Sequence, residues 1–328
     1  MFQKKIFNIS SFNDFNKTAI EIFNYQYKYN NFYQKYVNYL SIDFKKVKYF
    51  EQIPFLPIGF FKTHKIITGR QKNIDAVFIS SGTTSFNKSK HYISDISIYE
   101  KSFKKGFEYF YGNINDYCII ALLPSYLEKK GSSLIYMVKS LIKQSNNRES
   151  KFYSDNYKDL ICDLKKICCL GKQKILLIGT SFALLDIAEQ YSNISVPNMI
   201  VMETGGMKGK RKELTRQELH YLLSKNFGAQ YIHSEYGMTE LLSQAYSVKN
   251  GIFKCPPWMK ILIRDINDPF TIIDKGKTGG INIIDLANFN SCSFIATQDL
   301  GKLYKDESFE VLGRFDYSDI RGCNLMMG

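Results

Sequence analysis

Cysteines are scattered through this 328-residue chain, prolines number only 7, and no apolar run approaches membrane length. The seven cysteines are Cys118, Cys162, Cys168, Cys169, Cys255, Cys292 and Cys323. Their odd number and the lack of a C-x-x-C pair argue against a disulfide framework and a zinc site. No stretch reaches the ~20 apolar residues of a membrane span. The first residues, MFQKKIFNISSFND, hold neither a long apolar run nor a small-residue cleavage site. A reduced, cytoplasmic protein with no membrane span is expected. Lys and Arg total 44 against 31 Asp and Glu, a formal charge of +13. There is no compact Lys/Arg block and no known nucleic-acid signature, so a lysine-rich solvated surface explains the charge and nucleic acid is not an expected partner.

What is present is an alternation of apolar runs and helical periodicities. Ser10 and Ser11 cap a helix with Phe12, Phe15, Ala19, Ile22 and Phe23 at helical spacing, and apolar residues continue to about Phe50. The prolines of EQIPFLPIGFFKTH exclude a regular helix and give an extended connector. Strands are expected at Ala76–Ile79, YCIIALLP, KILLIGT and NMIVMETGG. Helices follow from Ile96, over Gly131–Gln144 and Ser181–Tyr191, and from a Thr215/Glu218 capping box to Gly228. Past Gly251 the helical signal fades into strands such as GINIIDL and SFEVLGR. The pattern is α/β, with mixed or parallel sheets flanked by helices and a β-rich C-terminal region. Three stretches are expected: a helical N-terminal region (1–50), an α/β core (51–250) and a β-rich region with a short tail (251–328), the last packing as one unit with the core.

Four short motifs carry chemistry. SSGTT, Ser80, Ser81, Gly82, Thr83 and Thr84, is followed by Lys88, Lys90 and His91. It is no Walker loop, since G-x-x-x-x-G-K-[ST] cannot be laid over it. Small residues let backbone N–H groups and hydroxyls approach phosphate oxygens, with Lys88 or Lys90 offsetting charge. A Ser/Thr-rich turn explains the same residues equally well, and Lys90 and His91 are expected to face water. ETGGMKG (Glu203–Gly209) sets paired glycines at a strand's carboxyl end, where ligands of open α/β sheets bind, though a tight turn has the same composition. HSEYGMTE offers Tyr236 to stack on a base and Glu240 to hold Mg2+; alternatively Thr239 caps a helix and Tyr236 is core. His233 is more readily structural than catalytic. Last, Asp299 in a short polar turn is placed to accept ribose hydroxyls, and Gly313-Arg314 ends a strand.

In this order the motifs resemble those of the adenylate-forming superfamily of acyl-CoA synthetases and adenylation domains. SSGTT is similar to its phosphate loop, Gly205-Gly206 to its adenine-side glycine turn, and YGMTE to its Tyr-Gly-x-Thr-Glu signature. TQDLG is similar to its Thr-Gly-Asp-Leu-Gly turn and GRFD to its Gly-Arg-x-Asp. The resemblance runs from about Phe55 to the C-terminus. It is closest to the acyl-protein synthetases of bacterial bioluminescence (the LuxE family) and the phenylacetate-CoA ligase branch, with DIRGCNLM indicating the former. Gln298 departs from the usual glycine before Asp299, and FNKSK from the Gly-x-Pro-Lys continuation of the phosphate loop. Only fourteen residues follow Arg314, so the mobile C-terminal domain of full-length relatives, with its lysine, is expected to be missing.

The resemblance implies an ATP- and Mg2+-dependent enzyme that converts a carboxylic acid, most simply a fatty acid, to an acyl-adenylate. It assigns Ser80 to Thr84 and Lys88 to the β,γ-phosphates, Thr239 to the α-phosphate and Glu240 to Mg2+. Tyr236 and Gly237 then flank adenine, Asp299 binds ribose with Arg314 close by, and Lys208 stands in for the missing lysine. Cys323 becomes the acyl acceptor. The seven residue steps from Asp316 to Cys323 span up to ~23 Å when extended, and Arg321 favours the thiolate. The other six cysteines are core or surface residues. An acidic acyl carrier protein or an acyl reductase is the expected partner. An acyltransferase using a carrier-bound acyl donor, for example in surface-polysaccharide acylation, is the rival enzyme. A non-catalytic nucleotide- or acyl-binding protein is the rival of another class.

Overall fold

The computed structural model describes residues 2–69, 73–81, 88–124, 131–171, 173–191, 194, 196, 198–205 and 214–314. In chain order the strands are β1 (Leu56–Pro57), β2 (Ala76–Ile79), β3 (Lys90–Ile93), β4 (Tyr117–Leu122) and β5 (Lys151–Tyr153). Next come β6 (Lys174–Thr180), β7 (Met199–Thr204), β8 (Ile232–Tyr236), β9 (Ala245–Ser247) and β10 (Phe253–Lys254). The last four are β11 (Met259–Arg264), β12 (Thr278–Asp285), β13 (Phe294–Leu303) and β14 (Phe309–Arg314). Among the described residues no helix is long and apolar enough to cross a membrane.

The chain folds into two units, divided at Lys72/Asn73 and Pro256/Pro257. This differs from the consecutive division at 50 and 250, and from a β-rich region united with the core. The first and last stretches share a unit because long-range bonds join them. Leu56 and Pro57 pair in parallel with Ile295 and Ala296. The buried Gln26 amide lies 3.0 Å from the Phe289 carbonyl and 3.2 Å from that of Asn288. Its carbonyl accepts from the Ser293 N–H at 3.1 Å. Gln26 sits on the buried stripe of the helix Phe12–Tyr29, with Phe15, Ala19, Ile22 and Phe23, and Ser11 caps that helix through the Asp14 N–H. Each such large apolar side chain contributes about 1.5–3 kcal/mol on burial. In the same unit β11, β12, β13 and β14 form an antiparallel run.

The second unit is the α/β body. Its main sheet runs β10-β9-β8-β7-β6-β4-β5. Strands β5, β4, β6, β7 and β8 are parallel, and β9 and β10 are antiparallel additions. Helices Ser133–Ser145, Tyr157–Leu170, Ser181–Gln190 and Arg216–Phe227 make the crossovers. Strand β4 is buried at every position, as suits a parallel strand covered on both faces. Ile120 and Leu177 of the sheet join Leu184, Leu223 and Phe227 of the helices in one apolar cluster. The strand order reverses between β4 and β6, and ligands of such sheets bind beyond the strands' carboxyl ends near that point.

Candidate active site

The carboxyl ends of β6, β7 and β8 carry a buried polar cluster. Glu203 lies between Gly179 and Ser234 in the parallel register and is 4% exposed. The Ser181 hydroxyl reaches the Glu203 carboxylate at 2.8 Å and the Gly205 carbonyl at 2.5 Å, sharing one proton between them. Arg216 Nε stands 3.5 Å and His220 Nε2 3.7 Å from the same carboxylate. Burial pushes the Glu203 carboxyl up; the His220 bond, the Arg216 charge and the Ser234 and Ser181 hydroxyls outweigh it and hold the group below the ordinary value. Gly205 takes the left-handed conformation (φ 64°) directly after β7, so the chain turns there without a Cβ penalty. One strand along, the Thr204 hydroxyl donates to Glu235 at 2.5 Å. A Cβ at Gly237 would collide with that Glu235 carboxylate, which gives this glycine a packing reason.

SSGTT proves to begin at the end of β2, and the chain returns along β3, a strand the sequence did not signal. The loop therefore joins strand to strand, rather than strand to helix. Its neck is closed by the Ser80 N–H donating to the Ser89 carbonyl and the Ser89 N–H donating to Ser80 Oγ, both at 3.0 Å. Ser81 is half-buried, while Lys88 and Lys90 are exposed. His91 corrects the expectation that it faces water: it is fully buried, and its Nδ1 lies 2.8 Å from the Thr239 carbonyl. The burial of β3 alternates from Lys90 to His91, a signal that becomes visible once KHYI is seen as a strand.

YGMTE also lies between strands. Tyr236 ends β8 opposite Ala245 of β9, so residues 237–244 form a connecting loop and Thr239 caps no helix. Tyr236 is half-buried with its ring 5.9 Å from that of Phe253. Thr239 is half-buried and Glu240 is 6% exposed. Ser243, three residues on, is 3.0 Å from Ser102. Among the described residues Thr180 Oγ1 and Gln244 Oε1 are buried without a hydrogen-bond partner. His233 is structural, as expected: Tyr111 Oη lies 3.2 Å from its Nδ1, and burial, then the neighbouring His220, push its pKa down to about 4.

In the other unit, Asp299 lies inside the ten-residue strand β13, not in a turn, and pairs with Arg314 of β14. Arg314 Nε is 3.4 Å from Asp299 Oδ1, and the Asp299 N–H donates to Thr297 Oγ1 at 3.1 Å. The strand assignment for Gly313-Arg314 holds. Cys118 and Cys292 are buried; burial pushes their thiols up to about 11 and about 12. Cys162 and Cys169 are exposed. Gly82, Thr83, Thr84, Gly206, Lys208 and Cys323 lie outside the described residues.

The residues present suit a nucleotide phosphate with a magnesium ion. No group of three or more His, Cys, Asp or Glu able to hold a metal occurs among the described residues. A single buried carboxylate, Glu240, completed by substrate phosphates and water is the ordinary mode for Mg2+. The orphaned Thr180 hydroxyl and Gln244 carbonyl are polar atoms at strand ends with capacity for a ligand.

The fold is that of adenylate-forming enzymes. It matches 2-hydroxyisobutyryl-CoA ligase, solved with 2-HIB-AMP and CoA, at a TM-score of 0.68 and 11% identity, over 93% of this chain and 70% of the other. ATP-bound MatB from Rhodopseudomonas palustris matches at 0.56 and 15% identity, over 76% of this chain and 49% of its own. The luciferase-like enzyme of the mealworm Zophobas morio matches at 0.51 and 16%, over 80% and 62%. The matched region thus spans about half the length of MatB. The family model for the acyl-protein synthetase LuxE matches residues 10–328, and the chain belongs to that family. No curated protein sequence matches it significantly.

Proposed function

We propose that the protein uses ATP to activate a carboxylic acid, with fatty acids the first to test, and passes the acyl group to the Cys323 thiol. The observation that carries this reading is the His91–Thr239 contact, which brings the neck of the SSGTT loop beside the YGMTE segment although 148 residues separate the bonded pair. A carboxylate oxygen attacks the α-phosphorus of ATP, the bond to the bridging oxygen breaks, and pyrophosphate leaves. The sulfur of Cys323 then attacks the acyl carbon, AMP leaves, and the thiol proton passes to solvent. The first step brings an anion to a polyanion, so preorganised donors and positive charge are what the site must supply. Ser80, Ser81 and Lys88 supply them at the phosphates, with Thr239 toward the α-phosphate. Glu240 holds Mg2+, whose charge offsets that of the phosphates.

Exchange of labelled pyrophosphate into ATP across a panel of carboxylic acids, followed by intact mass, tests the proposal. Acid-dependent exchange and an acyl mass increment are expected. Glu240→Gln should lower exchange by roughly 100-fold or more, and Cys323→Ser should keep exchange but lose the increment. No exchange with any acid removes the adenylation reading. An increment that survives Cys323→Ser assigns the thioester elsewhere.

A further inference from the structure

The buried His91 has no place in the adenylation chemistry above, yet it joins two of its working segments. It belongs to β3, the return strand of the hairpin that carries SSGTT, and stands opposite Phe78 in the register. Two residues before it, Ser89 closes the loop neck with Ser80. Its ring reaches the backbone of Thr239, next to Glu240, at 2.8 Å. A carbonyl oxygen only accepts, so the ring must carry its proton on Nδ1. Both the Nδ1–H neutral form and the imidazolium satisfy that demand.

The loop 237–244 has a second tie at its far end, the contact of Ser243 with Ser102 on the helix Ile96–Tyr111. That helix follows β3 directly, beginning three residues after Ile93. Glu240 therefore lies between two anchors, both supplied by the stretch 90–111. Neither anchor offers its reactive group to a substrate: His91 is fully buried and Ser102 nearly so. Their common effect is to fix where the Thr239–Glu240 backbone runs relative to the phosphate-loop neck.

We infer that His91 is a positioning residue that sets the register between the SSGTT hairpin and the Thr239–Glu240 loop, so that the groups acting on the β,γ-phosphates and those acting on the α-phosphate and Mg2+ are held in one arrangement. The inference rests on the adenylation reading. Misplacement of catalytic groups acts on the chemical step more than on ground-state binding, because alignment is demanded most strictly at the transition state.

Steady-state exchange kinetics on the full chain test this with three variants. His91→Phe keeps the ring and removes the donor. His91→Asn places an amide N–H where Nδ1 stood, whereas His91→Gln carries its amide one bond further out. His91→Phe should lower kcat by ~10–100-fold, the range for groups that orient ligands from behind, with the KM for ATP changed by less than about threefold. His91→Asn should recover most of the loss and His91→Gln little of it. A His91→Phe enzyme at wild-type kcat overturns the inference, as does equal activity of the Asn and Gln variants at equal Tm. Should His91→Phe fail to fold, the Asn–Gln comparison decides alone. Wild-type protein that exchanges with no acid removes the adenylation reading and this inference together. Wild-type exchange beside an unaffected His91→Phe removes only the inference.

Discussion

At the residue scale, the ionisable groups of β7 and β8 make stability depend on pH in a direction that can be stated. His233 titrates near 4 when folded, against an ordinary imidazole value of about 6.5. As pH falls through that window the unfolded chain takes up a proton that the folded site refuses, so stability drops. Glu203, held below its ordinary value, acts in the same direction at more acid pH, because the unfolded carboxyl protonates first. His233→Gln should therefore flatten the fall in denaturation midpoint between about pH 6.5 and pH 4, measured by urea titration at several pH values. An unchanged slope would assign the acid sensitivity to other groups. The same cluster shows what single residues revealed in sequence. Gly237 was visible as part of a motif, but its packing reason, the Glu235 carboxylate at its Cα, depends on a side chain aimed by the sheet. His91 drew attention only as a charge beside Lys88 and Lys90, since no local pattern said that its strand would turn it inward.

At the element scale, periodic signals translated well and short polar strands did not. The Thr215/Glu218 capping box is present, with the Thr215 side chain accepting from the Glu218 N–H and the helix ending at a left-handed Gly228. Thr215→Ala should destabilise the α/β unit by about 1 kcal/mol, the usual worth of such a cap, read as a shift in the urea midpoint without a change in slope. No shift would mean that tertiary packing alone holds the helix. The parallel strands KILLIGT and YCIIAL were legible because burial on both faces demands continuous apolar runs. KHYI was missed because it has four residues and two basic side chains. TQDLG reads as a turn because Asp and Gly are turn formers, yet it forms the middle of β13. There the burial alternates residue by residue, and pairing with β12 and β14 on either side overrides local preference.

At the scale of the whole molecule, the division into units escaped the sequence because it is not a division along the chain. Composition shifts mark where helix gives way to strand near Gly251, but nothing local announces that residue 26 will bond residue 289. Gln26→Leu should strip the 288–293 turn of its amide partner, leaving the Phe289 carbonyl and the Ser293 N–H without it at about 1–3 kcal/mol. The loss should appear in the unit that owns the bond. Amide hydrogen exchange should quicken in β12 and β13 while β4 and β6 keep their protection. Equal loss of protection in all four would mean that the two units unfold as one.

The bond from Gln26 to Asn288 spans 262 residues, and that separation is also a delay. On a ribosome adding ~5–20 residues per second, the helix Phe12–Tyr29 waits roughly 13–50 s for its partner turn to emerge. The α/β unit is contiguous between Asn73 and Pro256 and has its whole sequence available earlier. During that interval Phe23 lacks the Phe294 ring it packs against in the finished unit, while Phe15 already has Phe50 and Phe23 has Tyr33.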